Sequence, residues 1–125
     1  MNKEAIAKNP VVKLSFEFSL DIITYCELLE ANRKHVIATQ LLKSGTSVGA
    51  NIVEPKNAES QADFIHKFKI AAKEVEDAEY WLMLCSYSDS YPACDALLEK
   101  ISILNKMIGK IISTTKRKSI ITNEE

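Results

Sequence analysis

The chain has 125 residues, enough for one domain core and too few for two. Hydrophobic residues make up 46% of it, with only three glycines and three prolines, which excludes a disordered tail and a sandwich or barrel of many short strands and favours long helices with few connections. A formal net charge of −1 excludes a nucleic-acid polycation, so any nucleic-acid contact must come from a local basic patch.

Residues 1–9 are polar and read as a frayed end, without the apolar core of a signal segment. No run of about 18 apolar residues follows anywhere, so the sequence is read as a soluble cytoplasmic protein with no membrane role. Asn9-Pro10 suits a helix start, with Asn as the cap and Pro at the first helical position. Leu14, Phe18, Ile22, Tyr25 and Leu29 then recur at spacings of three and four, one face of a helix ending near Ala31. A second helix is expected from Arg33 to Pro55, with Val36, Ile37, Leu41, Leu42, Val48, Ile52 and Val53 as its apolar positions. Pro55 ends or kinks it, because proline disfavours a helical residue before it and cannot donate to the previous turn.

A third helix opens at Ser60-Gln-Ala-Asp63, a capping-box pattern. Phe64, Phe68, Ala71, Val75, Ala78, Leu82 and Cys85 keep helical spacing until the turn cluster SYSDSYP. At about 1.5 Å per residue that is a helix roughly 40 Å long. A fourth begins near Tyr91-Pro92, with Leu97, Ile101, Leu104, Ile108 and Ile111 as its stripe and Lys116, Arg117 and Lys118 near its end, where cations complement the helix dipole. Residues 118–125 read as frayed. Four amphipathic helices on short loops predict an all-α, antiparallel up-down-up-down four-helix bundle as a single domain over 1–125.

Within the second helix stands KSGTSVGAN, residues 43–51. A phosphate loop needs four residues between its glycines and then Lys and Ser/Thr; here three separate Gly45 and Gly49, Ala50-Asn51 follow, and Lys43 precedes them. A membrane dimer motif needs an apolar span, which Thr39, Gln40, Lys43, Ser44, Thr46, Ser47 and Asn51 interrupt. Close packing of soluble helices remains: residues four apart share a face, and two mid-helix glycines, each costing about 0.5–1 kcal/mol against alanine, imply a compensating approach. Beside them Gln40, Ser44, Ser47, Asn51 and Glu54 form a polar line. It is either a solvated face or a seam between helices or subunits, where hydrogen bonds fix register.

On the third helix, Trp81 and Leu84 lie on a line with Ile70, Glu74 and Asp77, beside the core stripe. Trp81 either widens the core or, with Glu74 and Asp77, marks a subunit interface. Glu74 and Asp77 share a face, as acid–base or metal-binding carboxylates would. Lys67, Lys69 and Lys73 are interleaved with that acidic cluster, which favours a salt-bridged surface instead. Neither His35 nor His66 completes a Glu-x-x-His metal pair. Cys26, Cys85 and Cys94 show no metal-type spacing and read as reduced thiols. No catalytic residue, metal, cofactor or small-molecule substrate is expected.

LLKSGTSVGANIVE (41–54), DFIHKF (63–68), Lys73-Glu74 and EYWL (79–82), within a stretch from Gln40 to Asp89, resemble a family of small bacterial four-helix-bundle proteins. Its founding members are encoded in intervening sequences of large-subunit ribosomal RNA genes. The resemblance implies a protomer that assembles into a ring, a homopentamer, with no established biochemical role. A related branch, the accessory protein of diversity-generating retroelements, forms a pentameric barrel and binds nucleic acid and a reverse transcriptase through basic surfaces. This chain departs from that branch in being slightly acidic. It departs from the family at Pro55, where a small or acidic residue is common. The functional expectation is a non-enzymatic homo-oligomeric scaffold that binds RNA or DNA. Its contacts would be Lys3, Lys8, Arg33, Lys34, Lys116, Arg117 and Lys118. The alternatives are a protein–protein interaction module without nucleic acid and, more weakly, a small-molecule or metal site in the bundle or along the ring axis.

Overall fold

The structure is a computed structural model that describes residues 2–53 and 60–124. Glu54 and Pro55, two residues of the sequence reading, lie outside the described residues. Among those described, the protein is all-helical: α1 (Lys3–Lys8), α2 (Pro10–Ala31), α3 (His35–Val53), α4 (Gln61–Tyr87) and α5 (Asp95–Glu124).

The helix starts follow from local chemistry. Asn9 Oδ1 accepts from the Val11 and Val12 amides at 3.1 and 3.5 Å, and Pro10 sits in the first turn, where no amide donor is needed. Ser60 Oγ accepts from the Asp63 amide at 3.1 Å and caps α4. Two expectations differ at the chain ends. Residues 3–8 are helical rather than frayed, because Asn2 Oδ1 accepts from the Ala5 amide at 2.8 Å and Glu4 stands in the first turn. At the other end α5 starts at Asp95 rather than near Tyr91 and runs on to Glu124. Lys116, Arg117 and Lys118 are therefore interior to α5, whose last turn holds no basic residue, and they do not complement its dipole.

The α2–α3 turn uses an uncommon residue. Arg33 adopts φ 62°, and the Lys34 and Arg33 amides donate to the Leu29 and Glu30 carbonyls at 2.8 and 3.0 Å. This is the Schellman pattern, with arginine at the left-handed position that glycine usually takes. The second helix accordingly begins at His35, not Arg33.

Packing runs in chain order: α2 lies on α3, α3 on α4, α4 on α5, and α5 returns to α2, while α1 rests on α2. The shared core contains Phe18, Ile22 and Leu29 of α2, Leu41, Val48 and Ile52 of α3, Val75 and Leu82 of α4, and Ile101, Leu104 and Ile108 of α5. Tyr25 Oη donates to the Pro92 carbonyl at 2.6 Å, and Lys34 Nζ donates to Ser90 Oγ at 3.3 Å while lying 4.9 Å from the centre of the Tyr91 ring. Residues 32–34 and 88–94 therefore close the same end of the molecule. Not every apolar position of the second stripe is core: Val36 is 78% exposed and Leu42 is 41% exposed.

Candidate functional site

Gly45 and Gly49 are buried where α3 meets α2. A Cβ on Gly45 would stand 2.9 Å from both Ile22 Cγ1 and Cγ2, and one on Gly49 would stand 3.2 Å from Ser19 Oγ and 3.4 Å from the Ser15 carbonyl. The small residues on α2 complete this approach: Ser15 Oγ donates to the Val12 carbonyl and Ser19 Oγ to the Ser15 carbonyl, both at 3.0 Å.

The polar line on the other side of α3 is satisfied within its own helix. Ser44 Oγ donates to the Gln40 carbonyl at 3.1 Å, Ser47 Oγ to Lys43 at 2.6 Å and Asn51 Nδ2 to Ser47 at 2.8 Å. None of these bonds crosses to another helix. Ser44 is buried, Ser47 and Asn51 are half-buried and Gln40 is exposed. The two candidate sets from the sequence meet here. A groove of about 330 Å³ between α3 and α4 is lined by Gln40, Lys43 and Ser44 on one side, and by Lys73, Glu74, Asp77, Tyr80 and Trp81 on the other. Lys73 Nζ lies 3.5 Å from Asp77 Oδ2, one turn apart on α4, as the interleaved charges imply. Trp81 is half-buried, packs against the core and meets the Tyr80 ring edge-on, centres 5.4 Å apart.

The basic candidates are not brought together. Arg33 and Lys34 sit at the end closed by residues 88–94, whereas Lys116–Lys118 lie far along α5. At 1.5 Å per residue, Lys116 is about 30 Å from the start of that helix. Sequence reasoning missed Lys69 as a neighbour of Lys116. Through hydrogen bonding and like charge, Lys69 holds the Lys116 ammonium below its ordinary range. The spacing along α4 gives no hint of this, because the partner lies on α5.

The three cysteines, distant in sequence, converge. Cys26, Cys85 and Cys94 are all buried and unpaired as disulfides. Cys85 and Cys94 face the Tyr25 hydroxyl, and Cys94 Sγ donates to the Leu82 carbonyl at 3.3 Å. Burial, then the Cys85 and Glu30 charges, push the Cys26 thiol up to about 11. Burial likewise raises Cys85 and Cys94, and burial followed by the neighbouring thiols raises Tyr25. Thiols held protonated in this way are poor nucleophiles and poor metal ligands. Among the described residues no cluster of His, Cys, Asp or Glu could hold a metal, and no helix is long and apolar enough to cross a membrane.

No curated protein matches the chain. Among solved structures, a protein of unknown function from the S23 ribosomal protein family of Bacteroides thetaiotaomicron VPI-5482 is 37% identical, with a TM-score of 0.78 over 82% of this chain and 97% of that one. Residues 7–110 match the family model of 23S rRNA-intervening sequence proteins. The glycine-thinned third helix, the α4 segment facing it and this match agree: the chain belongs to the 23S rRNA-intervening sequence protein family.

Proposed function

We propose that the protein is a non-enzymatic, self-assembling scaffold: an antiparallel up-down-up-down four-helix bundle, joined into a pentameric ring that binds another macromolecule. The observation that carries this reading is the exposure of large apolar side chains on all four long helices. These are Leu20 and Leu28 on α2, Val36 on α3, Tyr80 and Tyr87 on α4, and Ile103 on α5. Exposed apolar surface of this extent supports burial against other chains. The closed order of helix neighbours supports the bundle. Glu74, Asp77 and Trp81 are assigned to, or beside, a subunit contact. Three buried free thiols support a reducing, cytoplasmic setting.

RNA or DNA is the partner in this reading. Its phosphates would meet Arg33 and Lys34 at one end of each protomer, and Lys116, Arg117 and Lys118 toward the other. Each patch is weak alone, and repetition around a ring adds avidity. Native mass, measured by light scattering before and after nuclease treatment, tests both parts. The expected result is an assembly of five 14.0 kDa protomers that carries nuclease-sensitive absorbance and loses it steeply with salt. A monomer overturns the scaffold. An assembly that retains no nucleic acid at low salt overturns the nucleic-acid partner and leaves the second reading, a protein–protein interaction module, which the net charge of −1 favours.

A further inference from the structure

The outer wall between α2 and α3 holds an open, mainly apolar groove of about 570 Å³. Ile23 and Leu42 line its two sides, and Glu27 and Glu30 stand on its rim. Phe16 and Leu20 extend the α2 side at helical spacing, and the four apolar residues are between 37% and 52% exposed. On α4, Tyr80, Met83, Leu84 and Tyr87 fall at i, i+3, i+4 and i+7 and form a ridge, Tyr80 being 60% and Tyr87 81% exposed.

We infer that the α4 ridge of one copy seats in the α2–α3 groove of a second copy of this chain, head to tail. The inference rests on the proposed self-assembly and names the surfaces that carry it. Three observations select this occupant. The shapes are those of a helix ridge and a helix–helix groove, the pairing by which an apolar helix face is buried. The polar chemistry is complementary: beside Lys43 the lining presents the carboxylate acceptors of Glu27 and Glu30, and Tyr80 and Tyr87 bring phenol groups that donate to carboxylates. Glu30 already accepts from His35, and Glu27 has no partner among the described residues. The third observation is height. Glu27 and Glu30 lie in the last turns of α2, and Tyr80 to Tyr87 in the last turns of α4. Both therefore lie toward the end where Tyr25 bonds Pro92 and Lys34 bonds Ser90. A rotation about an axis parallel to the helices brings one surface to the other without translation. Because groove and ridge are different surfaces, the contact is heterologous, and a heterologous contact without translation closes into a ring rather than a filament.

A complementation experiment tests this. One variant, Ile23→Glu with Leu42→Glu, disables the groove; the other, Met83→Glu with Tyr87→Glu, disables the ridge. All four positions are exposed, so both variants are expected to keep the helical circular-dichroism spectrum of the wild type. Each alone is expected to run as a monomer of 14.0 kDa. Mixed, they retain one intact groove and one intact ridge between them, so a 1:1 dimer that cannot extend should form. If the groove pair fails to fold, Leu20→Lys, at the most exposed groove position, replaces it in the same mixture. A wild-type assembly whose mass survives either variant, or a mixture that yields no dimer, overturns the inference while self-assembly stands. A monomeric wild type overturns the proposed scaffold as well.

Discussion

Gly45→Ala adds one methyl group to a helix interior, where alanine is normally the better helix former by about 0.5–1 kcal/mol. Here the sign should reverse. The new Cβ would lie 2.9 Å from two carbons of Ile22, which are the branch-point substituents of a fully buried side chain rather than its mobile tip. Relieving that overlap moves α2 from α3 or forces Ile22 off its rotamer, an overpacking cost of about 1–3 kcal/mol. The net expectation is a loss of about 0.5–2 kcal/mol, which for a chain of this size lowers Tm by roughly 2–8 °C. Gly109 is the internal control. It also lies within a helix, but a Cβ there meets nothing within 4 Å. Gly109→Ala should therefore gain the propensity term and raise Tm. Thermal and urea unfolding of both variants, at one protein concentration so that assembly does not shift the midpoint, reads the two signs. Gly49→Ala belongs between them, because its tightest contact, at 3.2 Å, is the hydroxyl of Ser19, which can rotate. A Gly45→Ala protein as stable as wild type, or more so, would refute the close-approach reasoning.

Tyr25→Phe removes the donor to the Pro92 carbonyl and should cost about 1–2 kcal/mol in denaturant unfolding. The raised thiol of Cys26 sets a pH dependence. The native state keeps the proton while the unfolded chain releases it, so this contribution is fully present below the unfolded thiol range, near pH 9, and is lost as pH rises toward about 11. Stability measured across that window should fall, less steeply in Cys26→Ala. A result with no slope would contradict the buried-thiol assignment. Asn51→Ala should change protomer stability by less than about 0.5 kcal/mol, since among the described residues Asn51 bonds only its own helix; a loss of assembly without a loss of stability would place this residue at a subunit contact. Ser60→Ala should cost about 1 kcal/mol in thermal unfolding by removing the α4 cap, and Ser60→Gly only a few tenths.

Features governed by neighbours in the chain were legible without a fold. Asn9-Pro10 and Ser60 start helices because their side chains reach amides two or three residues on. The buried line Phe68, Ala71, Val75, Ala78, Leu82 and Cys85 follows from the helical period alone, because a helix rotates by a fixed angle per residue. The glycine pair signalled a close approach by its cost. The sequence by itself therefore determined the four long helices, most of their inward faces and the family.

Only the tertiary structure decided what those faces meet. That Gly45 sits on Ile22, that Cys85 and Cys94 face Tyr25 and that Lys69 stands beside Lys116 are contacts between distant parts of the chain, and no periodicity encodes a partner. Arg33 concealed where the second helix starts, because its left-handed backbone, closed by local bonds to Leu29 and Glu30, stands where glycine would have marked the turn. Val36 and Leu42 stand among the apolar positions of the second helix, yet hydrophobicity reports that a side chain avoids water, not which surface removes it from water; the fold leaves both facing outward. The Lys116–Lys118 run looked terminal because cations complement a helix C-terminus, but α5 continues past it to Glu124. The chain's local chemistry writes the elements, while burial is a property of two surfaces together and is settled only when they pack.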